Sequence, residues 1–215
     1  MKTILFAMLL MASTAQAVDF EASIGRTEYT KSDNGIWYQN GFYNDFSDGA
    51  TSYSLGFTGY AYESVKWHAG YANLGQVASY ALAVPDAQYN GVNGCYAPCT
   101  LDQYIGKGSI EGIYITLAPE MQFGKAKVFV EGGIWGYIPH FNMKVYRGTG
   151  TPATPFWDAT TDEHMQFCPV FGFGVEYDSL QIVATLYSSH ISSVEHNTIA
   201  FWNETVTNIS IRKAF

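Results

Sequence analysis

The stretch Thr205-Val-Thr-Asn-Ile-Ser-Ile-Arg-Lys-Ala-Phe215 alternates side-chain character with a period of two and ends on an aromatic residue. Successive side chains of a strand point to opposite faces. Thr205, Thr207, Ile209 and Ile211 therefore share one face and lead to Phe215, while Asn208, Ser210 and Arg212 share the other. A strand with one face for hydrocarbon and one for a polar interior belongs to a closed transmembrane sheet.

The opposite end of the chain gives an address. Met1 to Ala12 combines a short cationic start with an apolar run, and Ala15-Gln-Ala17 supplies a small-x-small cleavage site before Val18. The apolar run is shorter than the roughly 18 residues a spanning helix needs. Residues 1–17 are expected to be a signal peptide, and residues 18–215 a single β-barrel domain.

Composition agrees with an all-β chain. Gly 21, Tyr 16, Phe 14 and Trp 5 stand against only 14% charged residues, without the Ala/Glu/Lys/Leu bias of helical proteins. A net charge of -8 with 11 scattered Lys and Arg disfavours nucleic acid and leaves no basic patch for anionic lipid.

Between the ends, alternating segments are joined by long polar stretches and short turns in regular succession. The strands are expected at about Val18–Tyr29, Thr51–Tyr62, Val65–Leu74, Ser109–Ala118, Ala126–Ile138, Met165–Tyr177, Leu180–Ser189 and Thr205–Phe215. Short turns fall at Glu63-Ser64, Pro119–Gly124 and Asp178-Ser179. Long loops fall at about Lys31–Gly49, Gly75–Gly108 and Pro139–Glu163, with a shorter one before the last strand. Pro169 interrupts the sixth strand and calls for a bulge or a place near the rim. The expected fold is all-β: an eight-stranded antiparallel transmembrane up-and-down β-barrel with short periplasmic turns and long external loops.

This pattern resembles the small eight-stranded outer-membrane β-barrel proteins of Gram-negative bacteria, the opacity-type superfamily, over nearly all of Val18 to Phe215. The resemblance implies export to the outer membrane, contact with its lipid and lipopolysaccharide, and recognition of the last strand by the barrel-assembly machinery with Phe215 as the signal. Lys213 stands where that family usually has an aromatic or apolar residue, and its stem can snorkel to the interface.

A barrel of about eight strands is filled by side chains, not water. The inward charges Glu21, Lys66, Glu131, Glu176 and Arg212 are thus expected to pair as a salt-bridged plug, since unpaired buried charge is costly. Paired acids can also do acid/base work, but a closed lumen gives a substrate no access. Cys95 and Cys99, three residues apart in a loop facing an oxidising compartment, favour a local disulfide. Two thiolates alone do not complete a tetrahedral metal site, and neither metal nor cofactor is expected. Cys168 is left as a small lumen-facing residue.

One constellation suggests chemistry. His190 and Ser192 are two apart and share a face of an extended strand, and Glu204 on the returning strand could orient the histidine. Here the chain resembles the outer-membrane lipid A 3-O-deacylases, barrels with a His-x-Ser pair and a later Glu. The resemblance implies Ser192 as nucleophile, His190 as base and Glu204 as orienter of an ester hydrolysis on lipopolysaccharide. That family has Asn after its serine, where this chain has Ser193. The bland reading is a solvated polar loop. Three functions follow: a structural or surface-interaction scaffold whose external loops meet an extracellular partner, a lipid A esterase, and a small-solute channel. The scaffold, which is not an enzyme, is the expected one.

Overall fold

The computed structural model describes residues 17–29, 41–47, 49–84, 100–148, 154–160, 164–189 and 205–215. These residues form ten strands: β1 (Asp19–Glu28), β2 (Gly41–Ser47), β3 (Gly49–Tyr62), β4 (Val65–Ala83), β5 (Asp102–Phe123), β6 (Ala126–Tyr146), β7 (Trp157–Thr160), β8 (Gln166–Tyr177), β9 (Leu180–Ser188) and β10 (Thr205–Ala214). Among the described residues no helix is long and apolar enough to cross a membrane.

Eight of the strands close on themselves. β1 pairs with β3, β3 with β4, β4 with β5, β5 with β6, β6 with β8, β8 with β9 and β9 with β10, each antiparallel to its neighbour. The ring shuts where β10 returns to β1, with Ile24 opposite Ile211 and Ser210 opposite Gly25. Every ring strand lies beside the next ring strand in sequence, so the fold is an eight-stranded antiparallel up-and-down barrel. Closure leaves no unpaired ring edge.

The two ends differ. Glu63-Ser64, Gly124-Lys125 and Asp178-Ser179 make three two-residue turns at the end that also holds Asp19 and Ala214. Asp178 and Ser179 have φ of 51° and 65°, the doubly left-handed pair of a type I′ hairpin turn, whose twist matches that of the strands. The strand ends that the longer connections join lie at the other end.

Period two sorts the side chains. Arg212, Ser210, Asn208 and Val206 of β10 are buried, while Ile211, Ile209 and Thr207 are exposed outward. β8 sends Phe167, Phe171, Phe173, Val175 and Tyr177 outward, and β1, β3 and β5 do the same with Phe20 and Ile24, with Leu55 and Phe57, and with Ile113, Ile115 and Leu117. The result is an apolar belt around the ring.

Several boundaries differ from expectation. The third predicted strand does not stop at Leu74: β4 runs to Ala83 through a bulge between Asn73 and Gln76 in which Gly75 has φ +82°. β5 begins at Asp102, not Ser109, and continues through Pro119 to Phe123, so the turn is Gly124-Lys125 alone. β6 continues past Pro139 to Tyr146, and β7 lies inside what reads as the third loop. β2 (Gly41–Ser47) lies inside the first predicted loop and pairs with β4 at Ala78–Ala83, which lies inside the second.

These extensions raise one arc of the wall, β2-β4-β5-β6-β7, above the remaining strands. Pro139 is tolerated because it falls between the β6–β8 ladder, which ends at Tyr137, and the β6–β7 ladder, which starts at Asn142. Pro169 makes no bulge. It stays in register with Ile134, one residue beyond the last β8–β9 pair, Val170 with Tyr187.

Candidate functional site

The lumen is where the polar chemistry of the chain is gathered, and it is layered. Nearest the turns, Lys66 and Lys127 face Glu120 and Glu176. Lys66 Nζ lies 2.6 Å from Glu176 Oε2 and 3.1 Å from Glu120 Oε1, and Lys127 Nζ lies 3.4 Å from Glu176 Oε1 and 3.2 Å from Glu120 Oε2. Gln181 Nε2 donates to Glu176 at 2.7 Å, and Lys127 donates to the Tyr60 hydroxyl at 2.8 Å. The Lys66 ammonium sits over the Tyr60 ring, 5.3 Å from its centroid.

The next layer is centred on Arg212. Its guanidinium grips Glu131 with two bonds, Nη1 to Oε2 at 2.9 Å and Nη2 to Oε1 at 3.3 Å. On its other side Nε lies 3.5 Å from Glu21 Oε1, and Glu21 Oε2 meets His68 Nδ1 at 2.8 Å. A carboxylate accepts only, so Nδ1 is the donating nitrogen of His68. Gly172 makes room for this layer: a Cβ there would lie 2.5 Å from the Glu131 side chain.

Above it, Asn208 Nδ2 reaches Thr27 at 2.8 Å and Ser52 at 2.5 Å. Then the lumen turns aromatic. Trp135 stacks on Tyr137 with ring centroids 4.5 Å apart and meets Tyr187 edge-on at 4.7 Å. Trp135 Nε1 donates to the Ser188 carbonyl at 2.6 Å. Ser188 is the residue that continues the β9 register opposite Pro169, where the β8–β9 ladder has stopped, so the indole serves a carbonyl that a proline cannot.

Tyr29 fills a second gap. Its hydroxyl accepts from Ile110 N at 3.2 Å and donates to Gly75 O at 3.1 Å, across the bulge where β4 and β5 lose their regular pairing. The ring also packs edge-on against Phe141.

All five lumen charges named from the sequence, Glu21, Lys66, Glu131, Glu176 and Arg212, are thus buried and meet one another in two adjoining layers. Glu120, Lys127 and His68 belong to the same network. Period-two parity marks Lys127 and His68 as inward, whereas Glu120 is concealed by the neighbouring Pro119, which reads as a turn. Carboxylates held on cations in this way, beneath stacked aromatic rings, are braced and not presented to a substrate.

The outer face carries a polar rim directly above the belt on the raised arc. Glu111 accepts from Tyr71 at 2.6 Å and from Asn73 at 3.0 Å, and lies 3.5 Å from His140. Arg26 on β1 is outward at the same side of the ring, and its guanidinium lies over Gly49. Phe215 is exposed outward at the other end, its N–H donating to Phe20 O at 2.9 Å and its ring 6.4 Å from that of Phe20. Lys213 reaches over it, with Nζ 5.5 Å from the ring centroid.

Cys168 lies on the inward face of β8 as a free thiol, 3.9 Å from the Tyr137 hydroxyl. His190, Ser192 and Glu204 lie outside the described residues, as do Cys95, Cys99 and residues 1–16 of the expected signal peptide. Among the described residues no group of three or more His, Cys, Asp or Glu could hold a metal ion.

No protein-family model matches the chain. Nor does any characterised sequence match it significantly. Among solved structures it is similar to the Neisserial surface protein A, with 9% identity over 94% of this chain and 100% of that one and a TM-score of 0.41. It is likewise similar to Ail, the attachment invasion locus protein of Yersinia pestis, solved with the heparin analogue sucrose octasulfate, with 7% identity over 94% of this chain and 98% of that one and a TM-score of 0.42.

Proposed function

We propose that this chain is an outer-membrane β-barrel acting as a structural or surface-interaction scaffold, which holds its long connections outside the membrane for a partner to meet. The observation that carries this reading is the division of side chains across the wall. Ile182, Ile209, Phe171, Leu55 and Ile115, from five different strands, are exposed outward, whereas Glu131 and Arg212 are buried inward. A water-soluble sheet has no use for such an inversion, and hydrocarbon requires it.

The paired and stacked lumen supports a support role over a conducting one. Four carboxylates, three cations and His68 lie between the turns and the aromatic layer, so an ion entering the axis would have to break salt bridges to pass. The asymmetry of the connections sets the orientation: tight turns on the periplasmic side, long segments on the external side. Extracellular partners would meet the long segments and the raised arc.

Expression in a Gram-negative host tests this. Fractionation should place the protein in the outer membrane, with heat-modifiable electrophoretic mobility. An epitope inserted after Pro152 should be reached by antibody on intact cells, and one inserted between Asp178 and Ser179 should not. Recovery from the soluble periplasm, or antibody access to the Asp178-Ser179 turn, overturns the reading. Lipid A mass spectra from the same cells should be unchanged by the protein; a lost acyl chain that returns with Ser192→Ala would replace the scaffold by the esterase.

A further inference from the structure

Beneath the apolar belt the ladder between β5 and β6 is interrupted. The β5–β6 ladder pairs Leu117 with Gly132 and Glu120 with Phe129, but not the two positions between, although the register is the same on both sides. Pro119 has no N–H to offer there. The next amide, Glu120 N, turns to the opposite neighbour and donates to Ser64 O at 2.8 Å.

Outside this interruption lies a groove of about 460 Å³. Pro119, Met121, Val128, Val130 and Phe173 surround it, with Phe129 beneath, and the carboxylate of Glu120 is drawn away into the lumen by Lys66 and Lys127. The volume falls within the ~300–1,000 Å³ typical of small-molecule pockets. The groove is continuous with the belt: Leu117 and Ile134 lie beyond it on the same two strands, both exposed outward. On its other side β5 and β6 end in the turn Gly124-Lys125, and Lys125 is exposed four residues from Met121.

We infer that this groove binds one acyl chain of a phospholipid in the turn-side leaflet, with the Lys125 ammonium meeting the lipid phosphate. The inference rests on the membrane reading given above. A phospholipid is the occupant because the groove lies on the outward apolar face, its lining is apolar, and the hairpin that joins its two strands carries the exposed cation Lys125 at its tip. A chain seated here would touch side chains of three neighbouring strands, β5, β6 and, through Phe173, β8.

Native mass spectrometry of the barrel released from mild detergent, with palmitoyl-oleoyl phosphatidylethanolamine added, reads the inference. Wild-type protein should carry a single lipid adduct at collision energies that strip the rest. Val130→Trp, which fills the groove, and Lys125→Glu should each reduce that adduct by about tenfold. Ile182→Trp, outward on β9, should leave it intact. An absent wild-type adduct, or an adduct equally abundant in Val130→Trp and wild type, overturns the groove. Protein found in the outer-membrane fraction without the adduct refutes the groove alone, whereas protein absent from that fraction refutes the membrane reading itself. The wild-type measurement stands even if a variant fails to fold.

Discussion

Arg212 on the closing strand and Glu131 on β6 are 81 positions apart in sequence and are joined across the lumen by two parallel hydrogen bonds of 2.9 and 3.3 Å. The pairing is bidentate, the geometry for which a guanidinium is better suited than an ammonium. It ties β10 to the wall on the far side of the ring, in addition to its ladders with β1 and β9. Arg212→Met would leave Glu131 and Glu21 buried without their shared cation, a loss worth about 3–5 kcal/mol for a broken buried pair. The urea midpoint of the refolded barrel should fall accordingly. Arg212→Lys should recover only part of it, and the double change Arg212→Met with Glu131→Gln should be milder than Arg212→Met alone. An unshifted midpoint in Arg212→Met would show that the pair contributes nothing.

The belt gives a prediction that depends on depth. Ile182 is outward on β9 between apolar partners, Ile211 on β10 and Val175 on β8, while Thr207 lies outward opposite Leu186 on β9 and the charged Glu28 on β1. A lysine at the bilayer midplane costs about 2–4 kcal/mol and near the interface about 0–1. Ile182→Lys should therefore destabilise folding into vesicles by the larger amount and Thr207→Lys by the smaller, measured by denaturant titration in the same lipid. Equal costs at the two sites would contradict a membrane around this surface.

The layers along the lumen predict silence in a planar bilayer. Lys66, Lys127, Glu120 and Glu176 close the turn end, and the Trp135–Tyr137–Tyr187 cluster lies above them. Reconstituted wild-type protein should show no discrete conductance steps in molar salt. Steady single-channel currents would revive the channel reading and require the plug to move.

How far these features are legible in the sequence depends on what each residue signals alone. Arg212 and Ile211 alternate so cleanly that their faces follow from parity, and the five lumen charges are inward for the same reason. The raised arc is less visible. Beyond Leu74 the inward residues of β4 are Val77, Ser79, Ala81 and Ala83, and the bulge at Gly75 shifts the parity by one, so the alternation no longer continues the pattern before it. Pro119 and Pro139 read as breaks because a proline lacks a donor, yet each sits where a neighbouring ladder is interrupted. Ladder gaps are a property of the partner strands, which one segment read by itself does not contain. The His190, Ser192 and Glu204 constellation depends on a register that parity alone does not fix, since a slip of one residue reverses every face.

Trp135 offers a test that separates packing from hydrogen bonding. Its indole both stacks on Tyr137 and donates to the Ser188 carbonyl. Trp135→Phe keeps most of the ring area and loses the donor, so it should cost about 1–3 kcal/mol, the penalty for a buried acceptor left without its partner. Trp135→Ala should cost about 3–5 kcal/mol, because the cavity adds to that loss. The two midpoints in urea, measured side by side, check the order; a cost for Trp135→Phe equal to that for Trp135→Ala would mean that packing contributes little.

Tyr29 is the more demanding case, because its hydroxyl replaces two backbone partners at once. At the Asn73–Gln76 bulge β4 gains a residue, and the Ile110 N–H and the Gly75 carbonyl turn to the side chain of Tyr29, which is itself buried. Bulges leave such groups unpaired, and here the buried Tyr29 hydroxyl takes both in place of water. Tyr29→Phe keeps the ring against Phe141 and removes only the oxygen, so the loss should fall on the wall and not on the core. We expect a destabilisation of about 1–3 kcal/mol, the cost of unsatisfied buried groups. Hydrogen exchange should localise it: the Ile110 amide should become faster in Tyr29→Phe while amides of β9 and β10 keep their protection. Uniform acceleration across all strands would assign Tyr29 to general packing, and an unchanged Ile110 amide would remove the hydroxyl from the wall.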